Sequence, residues 1–259
     1  MTSLRHAPSR PTRRARLRAR VLLSTLLGAF LLPACTSTPK EPEPGGLETL
    51  RGDAETVALA RDILEPHAAA LADVQMLVTT CLRRETIATT GAQRVSDGPL
   101  FVRRAPATTL FRPAGARLLQ ILEDETTRVV LDVSRKHATR FTYESNPRAI
   151  AGVAAILVDV DFLARAFVVE SAGPFEEGPD LRQVTFVPVS ESGLATLERL
   201  EIVFDPNQAA PVGLRVVSRD GAVVDYELST PTLDPVWRNP ESRFRLDIPP
   251  NFKVSEMQG

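Results

Sequence analysis

The sequence predicts a mostly β protein of the α+β class, built on a strongly curved antiparallel sheet or a barrel whose helices cover one face or plug the opening. Short runs of alternating or β-branched residues, bounded by Gly, Pro, Asn or Asp, recur through most of the chain. Strands and helices do not alternate regularly, as they would in a parallel sheet. Two segments have helical spacing, and each carries an apolar stripe that must be buried against the sheet.

The first helix is predicted over 53–76. Asp53 is suited to cap it, and its apolar stripe consists of Val57, Ile63, Leu64, Leu71, Val74 and Leu77. Pro66 is expected to kink or split the helix, because proline lacks the amide hydrogen that the helix needs. His67 beside it is interpreted as a surface histidine, and a ligand role is the alternative.

Strands are predicted on both sides of a second helix at 149–163. Those before it are 82–89, 100–104, 108–111, 117–122, 128–133 and 137–143, and those after it are 166–171, 181–188, 197–204, 213–218, 222–228 and 244–248. Asp220-Gly221 favours a tight hairpin turn, because Asp-Gly adopts positive φ readily. Pro249-Pro250 is expected to end the last strand.

The N-terminus has the pattern of an export signal. Seven arginines and no acidic residue precede a 12-residue apolar run at 21–32. A helix of 12 residues is too short to cross about 30 Å of hydrocarbon, so we predict a cleaved signal peptide. Leu32-Pro33-Ala34-Cys35 resembles a lipoprotein signal, which implies lipidation of Cys35 and attachment to a membrane through acyl chains. A plain secretory signal with an incidental cysteine is the alternative.

These features predict three parts of the chain: a lipoprotein signal peptide at 1–34, a lipidated N-terminus and flexible tether at 35–52, and a folded domain at 53–259. The tether is rich in Pro, Glu and Gly at 36–46 and has little apolar surface to bury. Thr36 rather than Asp follows the cysteine. By resemblance to Gram-negative lipoproteins, this implies a protein of the cell envelope, anchored in the outer membrane and facing the periplasm.

Charge and cysteine content exclude several functions. Without residues 1–34 the chain has 24 basic and 32 acidic residues, a net charge of −8. Nucleic acid is therefore excluded as a partner, because phosphate binding needs clustered Lys and Arg. Cys81 is left as a single thiol, so no disulfide is expected. We interpret Cys81 as a small buried residue, and a reactive thiol is the alternative.

The sequence contains no motif of a known catalytic or metal site. The nucleophile elbow, the phosphate-binding loop and the paired Cys-x-x-Cys are absent, and His67 and His137 are far apart in the chain. Asp159 and Asp161 are acid–base candidates, but a helix cap or an exposed face is the simpler interpretation. We therefore expect no enzyme, no cofactor and no metal.

Several motifs resemble the outer-membrane lipoprotein carrier family, which includes LolA and its lipoprotein relative LolB. They are Gly98-Pro99-Leu100-Phe101-Val102-Arg103-Arg104 with Leu110-Phe111-Arg112, the strand 128–133, and the C-terminal series Asp220-Gly221, Asp225 to Leu228, Asn239 and Phe244 to Pro249. The resemblance covers about residues 53–254. It implies an open barrel with a helical lid and an apolar cavity for acyl chains, in which Arg104 contacts the lid.

The resemblance also implies a function and a set of cavity residues. Candidates for the cavity surface are Phe101, Phe111, Leu131, Phe141, Phe162 and Phe204, and each could equally be an ordinary core residue. The expected partners are lipoprotein acyl chains or another lipid, the membrane through the anchor, and a periplasmic carrier protein. An anchored carrier cannot diffuse between membranes, so a role in lipoprotein sorting or reception is expected. An envelope sensor or scaffold that binds a protein partner is the alternative.

Overall fold

The computed structural model describes residues 46–113, 119–124, 126–142, 156–189, 194 and 196–258. The predicted signal peptide at 1–34, the lipidation site Cys35 and most of the predicted tether lie outside the described residues. The first half of the predicted helix 149–163 lies outside them too.

The described part of the chain contains fourteen strands and two α-helices. The strands are β1 Arg51–Gly52, β2 Met76–Thr86, β3 Gln93–Arg103, β4 Thr108–Phe111, β5 Leu119–Asp124, β6 Thr127–Asp132, β7 His137–Thr142, β8 Phe167–Phe175, β9 Gly178–Pro188, β10 Leu197–Phe204, β11 Gly213–Ser218, β12 Val223–Leu228, β13 Thr232–Leu233 and β14 Lys253–Gln258. The helices are α1 Ala54–Leu71 and α2 Val160–Ala166, and residues 156–158 are also helical. Short 3₁₀ helices occupy Leu47–Thr49 and Glu241–Phe244.

All fourteen strands belong to one curved sheet that does not close into a barrel. Its order is β1-β8-β9-β10-β11-β12-β2-β3-β4-β5-β6-β7-β14, and β13 pairs with β2 beyond the end of β12. Neighbouring strands are antiparallel except at the two edges, where β1 pairs with β8 and β14 pairs with β7 in parallel. The predicted fold class, an open and incomplete barrel with helices, is confirmed.

Helix α1 begins where the sequence predicts. Oδ2 of Asp53 accepts hydrogen bonds from the amides of Glu55 and Thr56 at 3.1 and 3.3 Å, which satisfies two amides of the first turn. The helix ends at Leu71, five residues before the predicted end, and it continues through Pro66. The expectation that Pro66 would split the helix is therefore wrong.

Different segments of the chain pack on the two faces of the sheet. We call the face on which α1 packs the inner face. One inner cluster joins α1 and α2 to the strands β8 to β11, with Leu64, Phe167 and Phe186 at its centre. A second joins residues 157–158 to β2, β3 and β4, with Leu77 and Leu100. Alternate residues of each strand point to opposite faces, so the outer face presents the other half of each strand.

The outer face of β3 is covered by residues 234–252, which we call the C-terminal strap. The Trp237 ring packs against Phe101 at 6.0 Å and against Phe244 at 6.4 Å between centroids. The guanidinium of Arg103 lies over the Phe244 ring at 4.8 Å and pairs with Glu241 at 2.8 Å. The strap then leads into β14, so the chain ends at the sheet edge beside β7.

The strap corrects the last predicted strand. Residues 244–248 form no strand, and the final strand is Lys253–Gln258, after the prolines that were expected to end it. Leu246 and Ile248, which follow the 3₁₀ helix that ends at Phe244, are half-buried and alternate with exposed Arg245 and Asp247 without belonging to a strand. Such a segment shares the period of a strand without its hydrogen-bond partners.

Candidate functional site

The inner face carries a row of apolar residues across four strands. Cross-strand pairing aligns Leu100 with Phe111, Phe111 with Ile121, and Ile121 with Val130. Leu100 and Phe111 are buried, whereas Ile121 and Val130 are half-buried. The row is thus a continuous apolar surface that extends from the packed core as far as β6, next to β7.

The six cavity candidates divide between the two faces of the sheet. Phe111 and Phe141 lie on the inner face, because Phe111 pairs with Leu100 and Phe141 pairs with Arg128. Phe162 and Phe204 belong to the inner cluster beneath the helices.

Phe101 and Leu131 lie on the outer face, so their assignment to the inner surface is wrong. Phe101 pairs with Leu110 and contacts Trp237 of the C-terminal strap, and Leu131 pairs with Ala138. All four residues of β4 are buried, so both faces of the sheet bear apolar residues here. Apolar alternation, which would tell the faces apart in the sequence, is therefore lost in this region.

A cavity of about 320 Å³ lies between α1 and the strands β8 to β10. Its lining residues are Leu59, Asp62, Ile63, Pro66, His67, Gly173, Pro174, Arg182, Phe204 and Pro206. Its size is at the lower end of the range typical of small-molecule pockets, about 300–1,000 Å³. Most of its side chains are apolar, and Asp62 and Arg182 supply opposite charges. Phe204 is the predicted candidate that lines it.

His67 is buried in this cavity wall, so its interpretation as a surface histidine is wrong. Its ring centroid is 4.5 Å from that of Phe204, and Nδ1 is 3.3 Å from the carbonyl oxygen of Ala209. Burial lowers the pKa of His67, against smaller opposing effects of the Ala209 carbonyl and the Asp205 charge. The neutral ring is therefore favoured, as suits an apolar wall.

Arg104 connects three segments of the chain. Its guanidinium donates hydrogen bonds to the carbonyl oxygens of Leu71 at 2.6 Å and Ala72 at 2.5 Å, and to that of Val158. The first two carbonyls end α1, where the helix dipole favours a positive charge. The third ends the helical residues 156–158. Arg104 thus holds two helical segments against the strand that precedes it.

Asp159 and Asp161 form a helix start. Oδ1 of Asp159 accepts a hydrogen bond from the amide of Phe162 at 3.2 Å, which makes Asp159 the cap of α2. Burial raises the pKa of Asp161, and the neighbouring Asp159 charge adds to the effect. The interpretation of Asp159 as a cap is confirmed.

Cys81 is fully buried on the inner face, and burial raises its pKa to about 12. A thiol with so high a pKa has almost no thiolate at neutral pH and is unreactive. Its interpretation as a small buried residue is confirmed.

One contact between a histidine and a serine was not evident from the sequence. Nε2 of His137 lies 2.9 Å from Oγ of Ser255, across the parallel β7–β14 pair. In the described part of the chain no carboxylate lies within 4.0 Å of the His137 ring to orient it. The pair therefore lacks the third member of a catalytic triad there.

The described residues contain no candidate metal site and no candidate membrane-spanning helix. Across residues 46–258, with the gaps given above, no three His, Cys, Asp or Glu side chains are grouped to hold a metal ion. No helix in the same part of the chain is both long and apolar enough to cross a membrane.

Comparison with known proteins gives structural matches alone. No protein-family model and no curated protein sequence matches the chain. A putative outer membrane lipoprotein-sorting protein domain from Vibrio parahaemolyticus aligns over 71% of this chain and 94% of its own, with 10% identity and a TM-score of 0.40. A LolA superfamily protein from Nitrosomonas europaea aligns over 73% of this chain and 98% of its own, with 10% identity and a TM-score of 0.38.

The MucA/MucB complex from Pseudomonas aeruginosa aligns over 73% of this chain and 61% of that chain, with 12% identity and a TM-score of 0.35. Alignments at 10–12% identity assign no role to a side chain of this protein.

Proposed function

We propose that the protein is a lipid-anchored protein of the cell envelope that binds acyl chains of a lipoprotein or another lipid on the inner face of its sheet. Its place would be the outer membrane, facing the periplasm, in lipoprotein sorting or reception, with a periplasmic carrier as donor. The observation that carries the proposal is the apolar cavity of about 320 Å³ between α1 and the sheet. It lies on the same face as the apolar row of Leu100, Phe111, Ile121 and Val130.

The physical basis is the transfer of hydrocarbon out of water. Each methylene group that enters an apolar site contributes about 0.8 kcal/mol. Several buried methylene groups therefore give substantial affinity without any polar contact. Leu59 at the cavity is 46% exposed. An acyl chain lying there would cover this apolar surface.

Arg104 fits the same function. Entry of a longer chain would require α1 and residues 156–158 to move away from the sheet, and Arg104 binds both. We propose that its three hydrogen bonds hold the closed state and are released when a chain enters. In this proposal Arg104 would have the lid-contact role that the sequence resemblance implies.

Native mass spectrometry of residues Pro42–Gly259, which form a compact unit, tests acyl binding. The protein is mixed with a diacylated peptide at micromolar concentration. We expect a one-to-one adduct that is lost in Leu59→Glu, because a carboxylate in the cavity wall opposes hydrocarbon. Val236→Glu, at a fully exposed valine outside the cavity, is the matched control and should bind as the wild type does.

An apo mass without adduct would contradict acyl binding and favour the alternative, an envelope sensor or scaffold that binds a protein partner. An adduct that survives in Leu59→Glu would place the ligand elsewhere on the protein.

Lipidation needs a separate test. The full chain is expressed in a Gram-negative host with labelled palmitate, next to Cys35→Ser. We expect label in the wild type alone, with the wild type in the outer-membrane fraction. A wild-type protein without label would leave the plain secretory signal as the explanation of the N-terminus.

A further inference from the structure

A pair of charged residues faces the inner side of the sheet beside the apolar row. Glu123 of β5 and Arg128 of β6 are direct cross-strand neighbours. The same line continues to Thr109 of β4 on one side and Phe141 of β7 on the other. Ile121 and Val130 of the apolar row are two residues further along these strands, a rise of about 7 Å.

Within the described part of the chain, this pair has no hydrogen-bonded partner. Nε of Arg128 is buried and has no hydrogen-bond partner. Within the described residues, no carboxylate oxygen lies within 4.0 Å of the Arg128 guanidinium, and neither side chain of the pair has a hydrogen bond. Arg128 is half-buried and has the opposite charge of Glu123 beside it, but no ion pair or hydrogen bond among the described residues satisfies its guanidinium.

The surroundings of the pair favour an anion. Burial raises the pKa of Glu123, and the positive charges of Arg128 and Arg83 oppose this effect. The protonated, neutral form of Glu123 is therefore favoured more than in an exposed glutamate. The guanidinium of Arg128 stays positive at any physiological pH. Arg83 is 5% exposed and is paired through Nη1 with Glu85 at 3.1 Å, while its Nε is buried without a partner.

We propose that Arg128 and Glu123 form a head-group site for an anionic amphiphile. The phosphate or carboxylate of the ligand would bind the guanidinium of Arg128, which offers parallel N–H donors to such groups. Its hydrocarbon chain would lie along Val130, Ile121 and Phe111. Glu123 in its neutral form would donate a hydrogen bond to the same head group.

The inference rests on the proposed function, since it assumes that hydrocarbon binds on the inner face. It adds selection of the head group, which an apolar cavity alone does not provide. A neutral amphiphile would leave Arg128 desolvated and unpaired, and would therefore bind more weakly.

Calorimetric titration of residues Pro42–Gly259 with four dodecyl amphiphiles tests the head-group site. The probes are dodecyl phosphate, dodecanoate, dodecylglycerol and dodecyltrimethylammonium, all below their critical micelle concentrations. A single cooperative thermal transition of each variant is required first, to show that it is folded. We expect both anions to bind at least tenfold more tightly than the neutral probe. The ratio of phosphate to carboxylate affinity then distinguishes a phospholipid-like ligand from a fatty acid.

Substitutions at the two residues test whether they cause the preference for anionic over neutral probes. Arg128→Gln should lower affinity for the two anions about tenfold and leave dodecylglycerol unchanged, whereas Glu123→Gln should keep the preference. Arg140→Gln is the matched control, because Arg140 is on the outer face of the adjacent strand and pairs with Glu256 at 3.1 Å. It should behave as the wild type.

Four results would overturn the inference. Equal affinity for anionic and neutral probes, or a preference that survives Arg128→Gln, would contradict the head-group site while leaving acyl binding intact. Tighter binding of the trimethylammonium probe would assign the site to an ionised Glu123 instead. Absence of binding by all four probes would contradict the proposed function as well.

Discussion

At the scale of single residues, Arg104 connects segments that are far apart in the sequence. Its three carbonyl partners belong to the end of α1 and to residues 156–158, which are separated by more than eighty positions in the sequence. Because these carbonyls lie at helix ends, they have no partner within their own helices. The amide of Val74 also donates to the Leu71 carbonyl at 3.1 Å, so the Arg104 guanidinium adds a second donor there and supplies a side-chain donor to the carbonyls of Ala72 and Val158.

We expect Arg104→Met to lower the free energy of unfolding by about 2 kcal/mol, because three hydrogen bonds from a charged donor to helix-end carbonyls are lost. Arg165→Met is the control: Arg165 is half exposed and lies 3.7 Å from Asp159, so its loss should cost less than about 0.5 kcal/mol. Urea unfolding followed by circular dichroism measures both. Equal midpoints for the two variants would show that the Arg104 hydrogen bonds contribute little to stability.

His67 should make stability depend on pH in a defined window. Its pKa in the folded protein is below the ordinary value of 6.5, so the unfolded chain binds more protons between these two values. Stability therefore rises with pH across the window and is complete above about 6.5. The charged groups nearby are Asp62, Arg182 and Asp205, and hydrogen bonds from Asn207 and Gln208 hold the pKa of Asp205 below 3.8.

We expect His67→Gln to remove this part of the pH dependence. Urea unfolding of wild type and variant at half-unit steps from pH 5 to 7.5 gives the two slopes. Glu123 has a raised pKa and contributes with the opposite sign, but it does so in both proteins, so the difference between slopes reports His67. Parallel slopes would contradict the burial of a neutral His67.

At the scale of elements, strand boundaries were predictable where turn residues mark them. The predicted bounds of β4, β10 and β11 agree with the structure. Strand β2 begins at Met76, six residues before its predicted start, because the end of α1 and the beginning of β2 carry one continuous apolar pattern. β1 and β13 have two residues each and were missed, since strands so short have no periodicity.

The candidate site was predictable only in part, because the sequence does not show which strands pair or which segment packs on each face. Arg104 and Phe204 were named as candidates from the family resemblance, and the structure places Arg104 at the helix ends and Phe204 in the cavity wall. Glu123 and Arg128 were not, because only the pairing of β5 with β6 brings them side by side. The faces of Phe101 and Leu131 were assigned wrongly, because the C-terminal strap buries the outer face and both faces are apolar.

The C-terminal strap should therefore contribute to stability through its aromatic residues. Phe244 is buried against the outer face and contacts Trp237 and Arg103. We expect Phe244→Ala to cost about 3 kcal/mol through lost burial and the remaining cavity. Val236→Ala, at a fully exposed position of the same strap, should change stability by less than about 0.5 kcal/mol.

Urea unfolding measures the free energy in both strap variants, and hydrogen exchange of the β14 amides reports the attachment of the last strand. Faster exchange in β14 with unchanged global stability would show local release of the strap alone. Unchanged values in both measurements would contradict its structural role.

At the scale of the whole molecule, one sheet runs through both inner clusters. The cluster beneath α1 and α2 and the cluster around Leu77 are joined where β12 pairs with β2, at Cys81 to Thr86. Tyr226 and Ala107 pack against both clusters. Because this pairing and these two shared residues connect the clusters, the described part of the sheet shows no line along which it would divide.

We therefore expect the domain to unfold in one cooperative transition. Leu163→Ala in the first cluster and Leu100→Ala in the second each remove a buried side chain, at a cost of about 2–5 kcal/mol. If the sheet couples the clusters, both variants lower the midpoint of the same single calorimetric transition, and the calorimetric enthalpy equals the van't Hoff enthalpy. Two resolved transitions, of which each variant shifts one, would show that the halves unfold separately. Each inner cluster would then belong to a separately unfolding unit. An acyl chain bound across the inner face would contact both units, and we would expect it to couple their unfolding.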